Sequence, residues 1–161
     1  MSALATGKPL TDFSLPATGG KPWSLASQRG RNVVLYFYPR DNTPGCTREG
    51  EAFRDLHVAF RKANTIIAGI SPDSLDSHEK FKKKMRFPFE LLSDEERQIC
   101  KLFDVIREKS LYGRKFLGVE RSTFLIDSAG KLQREWRKVK VDGHAAQVLE
   151  AVRSLSAGIP S

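Results

Sequence analysis

The chain has 161 residues, two cysteines and a formal net charge of +8, a length that suits one domain over 1–161 and is short for two. Hydrophobic residues make up 40% and charged residues 29%, with no apolar run long enough to span a bilayer and no apolar core of a secretory signal in Met1–Lys8. A membrane partner is therefore not expected, and two distant cysteines outside any Cys-x-x-Cys pair point to a reducing compartment, the cytoplasm.

The positive charge raises the question of an anionic partner. Its densest run, Lys80 to Arg86, falls on a short predicted helix whose other face carries Phe81 and Met85, with no stacking aromatics between the cations. That pattern predicts a solvated face and no nucleic-acid partner.

Taken in order, Phe13–Leu15 and Trp23–Leu25 alternate around the turn signal Gly19-Gly20 and predict a hairpin. Val33–Tyr38 is continuously apolar, as in a central strand buried on both faces. A helix is predicted from Pro44 to about Lys62, with Cys46, Gly50, Phe53, His57 and Phe60 at helical spacing. Thr65–Ile70 is the next strand, and the strand–helix–strand spacing implies a parallel crossover. A second helix is expected over Leu75–Lys84 and a short strand over Phe87–Leu92. Ser93-Asp-Glu-Glu96 reads as a capping box for a third helix bearing Ile99, Cys100, Leu102 and Phe103. Asp104 to Gly118 reads as a basic loop. Ser122–Ile126, the turn Asp127–Gly130 and Lys131–Lys138 form an antiparallel pair, and Asp142 is the expected cap of a last helix with Ala145, Val148, Leu149 and Val152 inward. Residues 156–161 read as a loose tail. A parallel βαβ unit joined to an antiparallel pair makes an α/β, thioredoxin-like fold, a central mixed β-sheet flanked by helices.

The chemistry centres on Pro39-Arg-Asp-Asn-Thr43-Pro-Gly-Cys46, where the central strand breaks into a helix. Thr43 reads as the N-cap and Pro44 as the first helical residue, which leaves Cys46 in the first turn. Unpaired N–H groups and the positive dipole end of a helix stabilise an anion, so the spacing predicts a reactive, thiolate-forming cysteine. Most lone cysteines are small buried hydrophobes, but few of those follow Thr-Pro-Gly at a helix start.

Pro39-x-x-x-Thr43-x-x-Cys46, with Arg121 in Glu120-Arg-Ser-Thr-Phe124, resembles the active-site signature of the peroxiredoxins. The longer string from Tyr36 to Glu49 resembles the bacterioferritin comigratory protein (BCP, or PrxQ) subfamily, and similarity runs from Phe13 to about Val152. The resemblance implies that Cys46 attacks the terminal oxygen of a peroxide and becomes a sulfenic acid. It implies that Arg121 lies against the thiolate and peroxide, that Thr43 offers its hydroxyl there, that Pro39 shields the pocket and that Glu49 orients Arg121. It also implies a monomer that meets a peroxide substrate and a thiol reductant, whether thioredoxin, glutaredoxin or a small thiol. On their own, Arg121 would be a surface charge, and Thr43 and Pro39 turn chemistry.

Similar subfamily members carry a resolving thiol five residues after the first, here Glu51, or on the next helix, at about Lys82. Cys100 remains, on the apolar side of its helix, and a core role is expected for it. A one-cysteine cycle with an external thiol is therefore expected. The alternatives are a two-cysteine cycle with Cys100 resolving, a thiol–disulfide oxidoreductase, for which Glu49 stands where a second cysteine belongs, and a basic binding or holdase module. The histidines add little, since His57 falls about 16 Å along the helix from Cys46. No His, Cys or carboxylate cluster has metal-ligand spacing, and no phosphate loop or dinucleotide fingerprint is present, so no metal and no cofactor are expected.

Overall fold

The computed structural model describes residues 4–156. Its central sheet has five strands: β3 (Asn32–Phe37), β4 (Thr65–Ser71), β5 (Glu90–Ser93), β8 (Ser122–Ile126) and β9 (Leu132–Trp136), in spatial order β5-β4-β3-β8-β9. β4 runs parallel to both β3 and β5, whereas β8 is antiparallel to β3 and β9. The sheet is mixed, as the thioredoxin-like reading requires. Every residue of β3 is buried, because its apolar run must satisfy two cores at once.

Alternation along β3 divides those cores. Val34, Tyr36 and Tyr38 point to one face, where they meet α1 (Pro44–Asp55), α2 (His57–Lys62), α3 (Leu75–Met85) and α5 (His144–Ser156) through Phe53, Phe60, Phe81 and Val148. Val33, Leu35 and Phe37 point to the other, against the small hairpin of β1 (Ser14–Leu15) and β2 (Trp23–Ser24) and against α4 (Gln98–Leu102). Cys46 belongs to the first core and Cys100 to the second. The sheet lies between them.

Four expectations need correction. The helix predicted to run to Lys62 breaks at Leu56 (φ −101°, ψ 6°), a bend after which Phe60 of α2 still meets Phe53 of α1, with ring centroids 5.9 Å apart. The stretch read as a loop holds an antiparallel hairpin, β6 (Ile106–Leu111) with β7 (Arg114–Val119). Tyr112 and Gly113 turn it with positive φ, 52° and 77°, the geometry of a tight two-residue hairpin turn. Both faces of the hairpin are largely exposed, so no apolar alternation marks it. Ser93 ends β5 and donates to Asp73 O, and the N–H groups of Ile99 and Cys100 go to the Asp94 carboxylate instead. Asp142 accepts from Arg48 at 2.8 Å, and the last helix begins at His144. That helix includes Ser156, and the rest of the expected tail lies outside the described residues.

Candidate active site

The site forms where β3 stops. The Tyr38 N–H still reaches Ile70 O at 3.0 Å; beyond it the half-buried Pro39 opens a loop in which Asn42 is left-handed, φ 62°. Thr43 is extended (φ −93°, ψ 156°) and Pro44 takes the first helical position, which puts Cys46 third in α1, among N–H groups without intrahelical acceptors. The backbone follows the expected start, but the Thr43 side chain does not cap it. Its hydroxyl donates to Arg40 O at 2.9 Å, because the left-handed step at Asn42 folds the loop back on itself. Spent on a carbonyl, that single proton leaves the Thr43 oxygen with acceptor capacity only.

Arg121, in the residue before β8, reaches Cys46 from the other side of β3. Its Nη2 donates to Cys46 Sγ at 3.4 Å and its Nη1 to Glu49 Oε1 at 2.6 Å. Gly45 permits this approach, since a Cβ there would stand 3.1 Å from Nη2. Burial opposes the guanidinium charge, but Glu49 and Cys46 outweigh it and hold its pKa above the ordinary value. Glu49, one turn after Cys46, is 2% exposed, and its Oε2 has no hydrogen-bond partner among the described residues. Burial therefore pushes its carboxyl up to about 7, against the pull of Arg121. The spacing of Cys46, Glu49 and Arg121 thus places a sulfur and a carboxylate on one guanidinium, the arrangement that can hold a thiolate and an incoming polar oxygen together.

Two neighbours, Lys109 and His144, carry no sequence signal, and a third, Tyr36, opens the string that resembles the subfamily. Lys109 of β6 comes from the hairpin read as loop; burial and the nearby Arg121 lower its pKa, while Cys46 and Glu120 act the other way. His144 is 4% exposed, its Nε2 lies 2.8 Å from Thr123 Oγ1, and its ring stands edge-on to Phe53 and Trp136. Burial, then Arg121, lowers its pKa to about 4, so it stands neutral beside the site. Tyr36 stacks on Phe53 at 4.8 Å, and burial, with Glu49 and Cys46, raises its phenol. Lys109 and His144 reach the site through long-range packing alone.

Cys100 is not part of this group. Burial raises its thiol pKa, and the Asp94 carboxylate, which also accepts the Cys100 N–H at 2.7 Å, raises it further. His57 starts α2, apart from Cys46, with burial and Arg61 lowering its pKa.

Residues 6–135 match the model of the AhpC/TSA family. Peroxiredoxin Bcp of Bacillus subtilis is 45% identical over 150 residues, covering 93% of this chain and 96% of the relative. Among solved structures, Xanthomonas campestris Peroxiredoxin Q superposes with a TM-score of 0.86 at 46% identity, covering 89% of this chain and 91% of that one. Another, of the Xanthomonas campestris bacterioferritin comigratory protein with trapped intermediate and ligand, addresses that protein's alkyl peroxide reduction; it has a TM-score of 0.85 at 46% identity and covers 89% and 92%. Two mutants of the Xanthomonas protein each replace a different cysteine by serine.

Proposed function

This chain belongs to the AhpC/TSA family as a peroxiredoxin of the Bcp type, and from that premise we propose a one-cysteine cycle in which Cys46 reduces hydrogen peroxide and small organic hydroperoxides with an external thiol. The observation that carries it is the single guanidinium of Arg121 shared between the Cys46 sulfur and the buried Glu49. In this reading the Cys46 thiolate attacks the terminal oxygen of ROOH. An S–O bond forms as the O–O bond breaks, the Cys46 sulfur is oxidised to sulfenic acid, and ROH leaves after taking up a proton. Arg121 holds the sulfur and the oxygens on which charge develops, and Glu49 fixes the plane of its guanidinium. Thr43, its own proton committed to Arg40 O, accepts from the peroxide O–H, and Pro39 walls the pocket.

An outside thiol then attacks the sulfenic sulfur, releasing water and leaving a mixed disulfide, and a second thiol frees Cys46. Two features favour an outside reductant. Cys100 lies in the core on the opposite face of the sheet from Cys46, with a thiol that burial and Asp94 keep protonated. The interval between the two replaced Xanthomonas cysteines, counted from Cys46, lands on Lys82. The same reading has the enzyme work as a monomer in the cytoplasm, where thiols are kept reduced.

Mass spectrometry after one equivalent of peroxide tests it. Added oxygen on Cys46 is the expected product, and loss of two hydrogens with a Cys46–Cys100 link would replace the one-cysteine cycle by a two-cysteine one. Peroxide consumption that survives Cys46→Ser would overturn the assignment of the nucleophile.

A further inference from the structure

Beneath the loop that precedes Cys46 lies a buried polar network that sequence spacing does not reveal. His78 of α3 is wholly buried, with Nε2 2.9 Å from Leu92 O and Nδ1 2.7 Å from Asp41 Oδ2. Both partners are acceptors. Nε2 must therefore carry a hydrogen, and one further proton must lie in the contact between Nδ1 and the Asp41 carboxyl. Asp41 collects two more donors, Tyr38 OH on Oδ1 at 2.6 Å and Ser77 Oγ on Oδ2 at 2.8 Å. Ligand-type atoms of Asp41, Asp73 and His78 lie within 4.8 Å of one another, but the three hydrogen bonds already occupy the Asp41 oxygens, so the cluster reads as a lock.

What it locks is the catalytic loop. The Asp41 N–H donates to Asp73 Oδ2 at 2.8 Å, and Asp73 is itself held by Ser71 Oγ at 2.5 Å and, at its carbonyl, by Ser93 Oγ at 2.6 Å. Lys84 Nζ, farther along α3, donates to Asn42 Oδ1 at 2.8 Å. Past Tyr38 the loop has left the sheet, and the Thr43 hydroxyl bonds within the loop, to Arg40. Asp41 and Asn42 are thus the points at which α3 and the ends of β4 and β5 hold the loop that carries Pro39 and Thr43 and leads into Cys46. Helix α3 also reaches α1 through a ring contact: Phe81 packs edge-on to Phe87 at 5.1 Å, and Phe87 fills the space where a Cβ on Gly50 would stand 2.4 Å away.

We propose that Ser77 and His78 are positioning residues for peroxide reduction, acting through Asp41 to hold the loop that shapes the peroxide site at Cys46. The inference rests on Cys46 being the nucleophile. An in-line attack tolerates little error, and a displacement of about 1 Å in a positioning group is worth about 100-fold in rate. Alkylation by iodoacetamide is also an in-line displacement, but its iodide leaves without hydrogen bonds from the loop.

The test compares two reactions of the full-length, pre-reduced protein: oxidation of Cys46 by hydrogen peroxide and its alkylation by iodoacetamide. Ser77→Ala is expected to slow oxidation about tenfold without lowering the alkylation rate, Ser77→Thr to restore oxidation, and His78→Gln to slow it about 100-fold. Thermal melts accompany each variant. If His78→Gln does not fold, Ser77→Ala and Lys84→Ala decide, each expected to lower the ratio of oxidation to alkylation. The proposal fails if folded Ser77→Ala oxidises at the wild-type rate, if both reactions slow together, or if Ser77→Thr fails to rescue. Failure of wild-type Cys46 to oxidise at all would instead overturn the nucleophile assignment, leaving the lock without its stated role.

Discussion

Cys46 and Cys100 are both buried, at 2% and 0% exposure, yet their surroundings carry opposite charge. Cys46 sits third in a helix with a guanidinium 3.4 Å from its sulfur. Cys100 also lies early in a helix, but the N–H groups there are taken by the Asp94 carboxylate, which with burial raises the thiol pKa. A helix start makes a thiolate site only while its positive end is left for the sulfur. Exposure separates the two cysteines hardly at all; the sign of the neighbouring charge separates them fully.

The largest expected effect removes one side of that contrast. Cys46→Ser is expected to lower peroxide consumption by at least about 1,000-fold, measured by loss of hydrogen peroxide with dithiothreitol as reductant. Next is the charge itself: Arg121→Ala is expected to slow oxidation of Cys46 by about 100-fold or more, and stopped-flow oxidation checks it. A smaller loss would mean that Lys109 or the helix end supplies the stabilisation.

Glu49→Gln keeps the shape and removes the carboxylate, and about a tenfold loss of oxidation rate is expected from the weakened hold on Arg121. The same variant has a signature in stability. With its pKa raised from 4.5 to about 7, Glu49 binds a proton more readily in the folded state. Its contribution is fully present below about 4.5 and is lost as pH rises through about 7, by at most about 3 kcal/mol. His144, lowered from 6.5 to about 4, has the opposite sign: its contribution is full above 6.5 and fades as pH falls toward 4. The two oppose each other between pH 4.5 and 6.5, so urea melts of Glu49→Gln are expected to show stability falling more steeply on acidification than in the wild type. Equal slopes would show that Glu49 ionises as an ordinary carboxyl.

The smallest effect tests the other cysteine. Cys100→Ser is expected to leave turnover with dithiothreitol within about twofold and to cost about 1 kcal/mol of stability. A larger loss of turnover, matched by loss of a Cys46–Cys100 disulfide, would erase the contrast on which these predictions rest.

The sheet and the helix at Cys46 were legible because Val33–Tyr38 is uniformly apolar and Thr43-Pro44 is a helix start that few other sequences imitate. Cys46 and Glu49 lie one turn apart, so their shared face could be read from spacing. Arg121 could not, since nothing local distinguishes it from a surface charge; the resemblance to peroxiredoxins supplied it. His144 and Lys109 stayed hidden because the sheet order brings them in from far along the chain. The hairpin over Ile106–Val119 was missed for another reason: with Tyr112, Leu111 and Leu117 exposed, its apolar residues do not alternate with a buried face. The lock around Asp41 joins residues from Tyr38 to Ser93: its short spacings, Tyr38 to Asp41 and Ser71 to Asp73, read as ordinary turn chemistry, and its links from Asp41 to Ser77 and His78 are too far apart in sequence to form a motif.

One packing detail gives the molecule a built-in reporter. Trp136 stands edge-on to His144 at 5.8 Å, with the Arg134 guanidinium 4.8 Å from its ring centroid and its indole N–H without a partner among the described residues. Indole emission responds to nearby charge, and His144 is coupled electrostatically to Arg121. Each change of charge at Cys46 is therefore expected to shift the fluorescence of Trp136. Trp23, in the core on the opposite face of the sheet, supplies an internal reference, so Trp136→Phe should silence the optical signal of turnover while the catalyst itself keeps working.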